Sequence, residues 1–380
     1  MDVVFFGAYD PDYPRNAVLR RGLELNGVEV AECGVRPGPK FWLRYPLLLL
    51  RWRRRREAPP SGPKFILVPE FAQKDVPLAR ILGRLTARGL VFDPLASRYE
   101  TKILDWRRKS ERSLSARWNK AIDSWAFRRA GLILADTRAH KDYYCRMFGL
   151  PPERIAVVPV GFDDRVFPRS LADGRAQKPG FPKPFTVVFF GSFLPLHGAD
   201  AVIEAARRVR GIDKAVHFKM IGSGQTLNHV RALASEYGLD NVAFDGWLSR
   251  TELARRVAGT ADVCLGIFGR TEKAGRVIPH KIFQAMALGK AVITARTPAA
   301  EELFDHGKNI YFCDREDHGG LADAILDLKE NAGLRKDVAR QGFDLVWERY
   351  QPRALGSELK RILEEGTGKN RGAGRIAAAT

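Results

Sequence analysis

Residues 262–294 constrain the fold of this chain more than any other stretch. An apolar run, Asp262-Val263-Cys264-Leu265-Gly266, leads into a basic, glycine-bearing loop. Pro279 follows, then Ile282, Phe283, Met286 and Ala287 at helical spacing, then Gly289, then the apolar run Ala291-Val292-Ile293-Thr294. The order reads strand, loop, amphipathic helix, stop, buried strand, and a helix with one apolar face must pack on the sheet that flanks it. Proline suits a first helical turn, where no backbone hydrogen bond is lost, and glycine is the expected C-terminal stop. The unpaired amides at such a helix N-terminus favour an anion, and Arg270, Lys273, Arg276 and Lys281 stand in or beside the loop that enters it. A phosphate belongs at this place.

Continued as Pro279-His280-Lys281-Ile282-Phe283-Gln284-Ala285-Met286-Ala287-Leu288-Gly289-Lys290-Ala291-Val292-Ile293, the segment resembles the donor-site signature of family-4 glycosyltransferases of the GT-B fold. That signature is the pattern P-x-K-x-x-E-A-M-A-x-G-x-P-V-I. The resemblance implies two Rossmann-like, doubly wound parallel-sheet domains facing a central cleft, a nucleotide-sugar co-substrate, no bound metal or other cofactor, and transfer with retention. The family's pair of glutamates is absent: the second falls on Gln284 and the first on Arg276. A glutamine amide offers donors and an acceptor to ribose hydroxyls, so Gln284 keeps that role, and Glu272 is a displaced substitute for the missing sugar contact. Ile278, just before the proline, belongs with the donor-binding residues that the resemblance implies.

A chain of 380 residues exceeds one ordinary core and implies two domains. Its four cysteines, Cys33, Cys145, Cys264 and Cys313, lie far apart with no Cys-x-x-Cys pair, which argues against a zinc site or a disulfide scaffold and fits a reducing cytoplasm. The N-terminal run Val3 to Phe6 has no basic segment before it and is too short for a signal peptide, and no apolar run reaches membrane-spanning length. The net charge of +19 is uneven: residues 1–180 hold 34 Lys and Arg against 20 Asp and Glu. Its densest patch is Phe41 to Arg56, which joins aromatic residues and four leucines, Leu47 to Leu50, to Arg51, Arg53, Arg54, Arg55 and Arg56. Such a segment suits an anionic membrane surface, with apolar groups for the acyl boundary and cations for the headgroups. The competing reading is a buried helix followed by a solvated basic loop. The sequence carries no nucleic-acid-binding motif, so nucleic acid is not an expected partner.

Along the first half, apolar runs at Val3 to Phe6, Phe65 to Val68, Leu90 to Phe92, Leu132 to Leu134 and Ile155 to Val158 alternate with helical segments, the pattern of a parallel sheet covered on both faces. Val160-Gly161-Phe162-Asp163 resembles the family's approach to the interdomain hinge. These signals divide the chain into an acceptor-side domain, 1–167, a linker, 168–184, rich in proline, glycine and charge, and a donor domain, 185–349. After the break at Tyr350-Gln351-Pro352, the resemblance implies a last helix, 351–366, that returns to the first domain, and residues 367–380 read as a disordered tail.

In an open parallel sheet, ligands bind beyond the carboxyl ends of the strands. In the second domain this selects Gly191-Ser192, with His197 before the next helix, Gly222 in a Gly-Ser-Gly turn, and Gly246-Trp247, the segment whose backbone holds the nucleotide base in the resembled family. Trp247 is read as a packing residue before a stacking platform. In the first domain it selects Gly7, Arg15 with Asn16 facing the donor phosphates, and Asp93, with Ser97, Tyr99 and Glu100 after it, orienting the acceptor hydroxyl. Asp136 and Thr137 read first as helix caps, with His140 a secondary candidate. Asp10-Pro11-Asp12 imitates a metal-binding Asp-x-Asp but lies in the first loop, and it is read as no metal site.

The residues show no carboxylate pair of the glycosidase kind. Together with the retention that the resemblance implies, this makes front-face transfer the expected route, with the leaving diphosphate stabilised by helix amides and Lys273, Arg276 or Lys281. The reading is a cytoplasmic glycosyltransferase at or near the inner membrane face, using a nucleotide-sugar donor and a glycan or lipid-linked acceptor in cell-envelope polysaccharide, glycolipid or glycoprotein assembly. A nucleotide-sugar epimerase, or a sugar-nucleotide-binding protein that has lost catalysis, are the alternatives.

Overall fold

A computed structural model describes residues 1–38, 43–55, 62–106, 109–172, 184–315 and 318–376. The chain forms two compact units, Met1–Val160 with Pro352–Thr380, and Gly161–Gln351. Most of the segment read as a linker lies outside the described residues.

The first unit runs β1 (Asp2–Ala8), α1 (Pro14–Leu25), β2 (Glu29–Val35), α2 (Arg44–Arg54), β3 (Lys64–Val68), α3 (Val76–Leu85), β4 (Gly89–Phe92), α4 (Leu114–Arg129), β5 (Leu132–Ala135), α5 (Arg138–Phe148) and β6 (Ile155–Val157). All strand pairs are parallel, in the order β2-β1-β3-β4-β5-β6. The central strands are buried on both faces, as their continuous apolar runs require. The strand β2 carries no such signal, because this edge strand interrupts its apolar residues with Glu29 and Glu32, which fall on opposite faces. The order reverses between β1 and β3, so the topological switch point, where ligands of such sheets bind, lies at their carboxyl ends.

The second unit runs α6 (Arg169–Ala172), β7 (Phe185–Ser192), α7 (Ala199–Ile212), β8 (Val216–Ser223), α8 (Leu227–Glu236), β9 (Val242–Asp245), α9 (Arg250–Thr260), β10 (Val263–Leu265), α10 (His280–Ala287), β11 (Ala291–Ala295), α11 (Pro298–Glu301), β12 (Tyr311–Cys313), α12 (His318–Glu330) and α13 (Ala332–Arg349). Its parallel sheet has the order β12-β11-β10-β7-β8-β9, with the reversal between β7 and β10. The final helix, α14 (Pro352–Ile376), belongs to the first unit and packs on α1. Gly22 and Gly356 meet there backbone to backbone: a Cβ on Gly356 would lie 2.0 Å from the carbonyl carbon of Gly22. The helix continues to Ile376, through residues read as tail, and 377–380 lie outside the described residues.

Within the Phe41 to Arg56 patch, the helix α2 has a buried and an exposed face. Tyr45, Leu48 and Trp52, spaced by three and four, turn inward onto the core, with Trp52 edge-on to Phe6 at 5.9 Å. Leu43, Leu47, Leu49 and Leu50 remain exposed beside the exposed Arg51, Arg53 and Arg54. Phe41, Trp42 and Arg56 lie outside the described residues. Among the described residues no helix is long and apolar enough to cross a membrane.

Candidate functional site

A candidate site lies at the carboxyl end of the second sheet, at its switch point. The strand β7 ends in Gly191 and Ser192, and the loop after it, through His197, is laced to the loop after β10: Phe268 N–H donates to His197 O (3.0 Å) and Gly269 N–H to Leu196 O (3.2 Å). Gly198 sits at φ 60°, and a Cβ there would lie 2.5 Å from Gly269 N, so only glycine permits this approach. Thr294, in β11, accepts from Ile267 N–H at 3.1 Å and holds the far side of the same loop. The walls are therefore fixed by backbone pairing.

Lys281, in the first turn of α10, reaches into this frame. Its side chain is buried, with Nζ 3.8 Å from the Phe189 ring centroid, and Nζ has no hydrogen-bond partner. A Cβ placed on Gly191 would lie 3.9 Å from that nitrogen, which puts the ammonium beside the glycine-bearing strand end. Burial pulls its pKa well below the usual lysine value. The Phe189 ring face offsets part of the cost, but a buried ammonium with no hydrogen-bond acceptor is still costly, and such groups are found where a ligand completes them.

His197 is buried close by. Its Nδ1–H donates to Ser192 O, which leaves Nε2 of the neutral ring as an acceptor. Burial, then the Lys281 charge, then Lys273 hold its pKa well below the usual value, against the carbonyl contact that opposes them. The charges of Lys281 and Lys273 thus converge on one buried imidazole. Gln284 follows Lys281 by one turn of α10 and is also buried. Ile278 is buried just before the helix.

Other candidates fall differently. Arg276 is paired with Glu272 at 3.1 Å, and the Glu272 side chain is largely exposed. Gly222 lies against β7: a Cβ on it would be 2.0 Å from Gly191 O, so this glycine is required by strand approach. Gly246 has open space around it, and Trp247 is 66 % exposed, which removes the reading of this indole as a packing residue.

In the first unit the structure corrects two assignments. Arg15 and Asp93 are both buried and bind each other, with Nε to Oδ2 at 2.9 Å and Nη2 to Oδ1 at 3.1 Å. Arg15 Nη1 donates further to Val158 O and Pro159 O, each at 2.7 Å. A guanidinium spent on a carboxylate and two carbonyls is a tie between α1, β4 and the segment after β6, so Arg15 is not free to face a phosphate, and both Asp93 oxygens, read as orienting the acceptor hydroxyl, already accept from Arg15. Gly7, at φ 136°, lets Ala8 N–H reach Asp75 Oδ2 at 2.7 Å.

Thr137 caps α5 by accepting from His140 N–H at 3.0 Å. His140 itself is fully buried between Asp136 (2.6 Å) and Glu100 (3.3 Å). Burial alone would lower its pKa, but the two carboxylates overcome it and push it up to about 9, so this imidazolium is a structural charge. Asp10 accepts from Asp12 N–H at 3.0 Å, forming a turn, and no group of three metal-ligating side chains occurs among the described residues.

Several buried carboxyls were not singled out from the sequence, among them Asp75, Asp123 and Glu70. Glu70, just past β3, is buried with Oε2 unpartnered, and burial followed by the Asp93 charge pushes its pKa up to about 8. Phe71 beside it takes φ 57°, a conformation unusual for a bulky residue. The signal was available: Glu70 stands after an apolar strand much as Asp93 does.

Residues 1–161 match the model of the glycosyl transferase 4-like domain, and residues 173–344 match that of glycosyl transferases group 1. Over 244 residues the chain is 25 % identical to a putative colanic acid biosynthesis glycosyltransferase, WcaL, of Salmonella typhimurium, covering 63 % of this chain and 57 % of that protein. Over 227 residues it is 28 % identical to the GDP-mannose-dependent alpha-(1-6)-phosphatidylinositol monomannoside mannosyltransferase of Mycobacterium tuberculosis, covering 58 % of each. These matches span less than two thirds of the curated relatives' own length. The fold is similar to that of Anabaena HepE solved with UDP-glucose, with TM-score 0.71 at 18 % identity over 96 % of this chain and 100 % of that one. Sucrose-phosphate synthase of Thermosynechococcus elongatus is likewise similar, with TM-score 0.72 at 14 % identity over 97 % and 100 %. With two matching domain models in succession and a parallel sheet in each unit, the chain belongs to the group 1, family-4-like glycosyltransferases of the GT-B fold.

Proposed function

We propose that this protein transfers a glycosyl group from a nucleotide sugar to a glycan or lipid-linked acceptor in cell-envelope polysaccharide, glycolipid or glycoprotein assembly, with retention of configuration. The observation that carries the donor half is Lys281, a buried ammonium without a hydrogen-bond partner beside Gly191, with His197 and Lys273 in electrostatic reach. A diphosphate supplies the missing acceptor oxygens. On bond cleavage the leaving diphosphate gains charge, and Lys281, Lys273 and the amides of the α10 N-terminus oppose it. Arg276 lies in the same loop, balanced by Glu272. Gln284 holds the ribose, Gly246 and Trp247 flank the base, and an oxygen of the leaving diphosphate takes the acceptor proton. No metal is needed where lysines carry the countercharge. HepE was solved with UDP-glucose and the mycobacterial relative uses GDP-mannose, so uridine and guanosine donors are the first to test.

The exposed leucines and arginines of α2 support docking on an anionic membrane from its cytoplasmic side. Each arginine near such a surface contributes about 1 kcal/mol, enough in combination for reversible, salt-sensitive attachment. Sedimentation with anionic vesicles should fall when Arg51, Arg53 and Arg54 become serine. Equal sedimentation with neutral vesicles removes the electrostatic part.

The test of the activity is incubation with a panel of nucleotide sugars, following nucleoside diphosphate release with and without lipid acceptors. Acceptor-dependent release is expected. Sugar release without acceptor indicates an epimerase, and tight binding with no turnover indicates lost catalysis.

A further inference from the structure

A second concentration of positive charge lies in the first unit, at the carboxyl end of its sheet, assembled from three separate segments. Arg44 opens α2 and binds Asp75 Oδ1 at 3.2 Å. Lys74 precedes that aspartate in a single 3-10 turn, Gln73–Asp75, whose carbonyl at Lys74 accepts from Tyr45 Oη. Gln73 Nε2 donates to Ala96 O at 3.0 Å, which ties this turn to the loop after β4. Arg98 stands in that loop, held by Asn119 Oδ1 at 3.2 Å, and Lys102 follows one turn later in a π-helical segment, Glu100–Asp105. Arg44, Lys74 and Arg98 are half-buried and Lys102 is exposed, so the cluster is open to solvent.

The charges feel one another. Beyond the effect of burial, Arg98 and Arg44 lower the pKa of Lys74, and Arg98 and Lys74 lower that of Lys102. Two carboxylates oppose them, and both are already engaged: Asp75 accepts from Ala8 N–H as well as Arg44, and Asp123 Oδ2 accepts from Ser97 Oγ and Tyr99 N–H, each at 2.8 Å. Four cations are thus held together against partial neutralisation, a cost that an anionic ligand relieves. The loop that carries Arg98 is also irregular, with Leu95 at φ 52° and the π-helical turn after it. Both features concentrate at functional sites. Apolar side chains are exposed on two of the helices concerned: Leu47 on α2, one turn from Arg44, by 46 %, and Leu114 and Trp118 on α4, the helix whose Asn119 accepts from Arg98, by 81 % and 64 %.

We propose that Arg44, Lys74, Arg98 and Lys102 bind a phosphate or diphosphate group on the acceptor, with Leu47, Leu114 and Trp118 flanking an apolar chain attached to it. The site lies in the first unit, whereas the donor diphosphate site is built in the second. The inference rests on the transferase reading and names the acceptor class: a lipid-linked phosphate. Cations fix the phosphate as point charges and, for Arg44 and Arg98, through planar guanidinium donors.

The probe is farnesyl diphosphate below its micellar range, titrated into the full chain saturated with the nucleoside diphosphate it binds, so that the donor site is occupied. Farnesol and inorganic pyrophosphate test the apolar and anionic parts separately. Farnesyl diphosphate should bind more tightly than either, and the Arg98→Gln, Lys102→Gln double variant should weaken it at least about ten-fold. Replacement of Lys336 and Arg340, exposed on α13, by glutamine should leave it unchanged. Donor hydrolysis in the absence of acceptor should survive the double variant, which separates failure of this site from failure of the transferase reading. The proposal is overturned by unaltered farnesyl diphosphate binding in the double variant. Binding of phosphatidylglycerol vesicles that depends on Arg98 and Lys102 while farnesyl diphosphate does not bind also overturns it, because the cluster then serves the bilayer.

Discussion

Replacing Lys281 with methionine should move stability and binding in opposite directions. Methionine keeps the length and apolar stem of lysine but removes the ammonium, which is buried against Phe189 with no hydrogen-bond partner. Leaving such a group unsatisfied costs about 1–3 kcal/mol, so Lys281→Met should stabilise the unliganded protein by a similar amount. The same change deletes a charge-assisted contact to the donor diphosphate, worth about 1.5–3 kcal/mol, and should weaken nucleoside diphosphate binding by about 10- to 150-fold. The pH dependence has a definite sign. The folded pKa is depressed, so as pH falls below 10.5 the unfolded chain takes up the proton first and wild-type stability declines until the folded pKa is reached. The advantage of methionine should therefore vanish above about pH 10.5 and grow as pH falls below it. Thermal unfolding across pH, with calorimetric titration of a nucleoside diphosphate, measures both quantities. A variant that is less stable than wild type and binds normally would make Lys281 a structural lysine and remove the donor site from this place.

Three further outcomes are expected. Gln284→Ala should impair donor binding and transfer together, whereas Gln284→Glu should retain or raise activity; equal loss in both variants would contradict a ribose contact. Glu70→Gln should raise the unfolding midpoint at pH 8 and above by a difference that disappears near pH 4.5, because a carboxyl whose folded pKa is raised from 4.5 to about 8 loses stability as pH rises through that window. A pH-independent effect would show that Glu70 is not protonated in the folded protein. Asp93→Asn should destabilise the first unit by about 3–5 kcal/mol, since it leaves the Arg15 guanidinium buried without its countercharge, while nucleoside diphosphate binding persists; a soluble, stable variant defective only in transfer would restore Asp93 to the chemistry.

The sequence by itself determined the parts that depend on local pattern. Continuous apolar runs such as Phe65 to Val68 and Val187 to Phe190 specify doubly covered strands, because a parallel sheet buries both faces, and the Pro279 to Gly289 interval specifies a short helix with its first turn at a strand end. The edge strand β2 was illegible for the same reason: one side of it faces no neighbouring strand, and its glutamates obscure the period. Tertiary structure alone decided the pairing of charges. Arg15 and Asp93 lie 78 residues apart, and nothing in either neighbourhood announces that they meet in the core. Conversely, Lys281 has cationic neighbours in the sequence, and only the packing against Phe189 and Gly191 leaves it buried without a partner. Which cations are spent and which stay available is set by long-range contacts, since charge interactions act over distances in space that the order of residues does not encode.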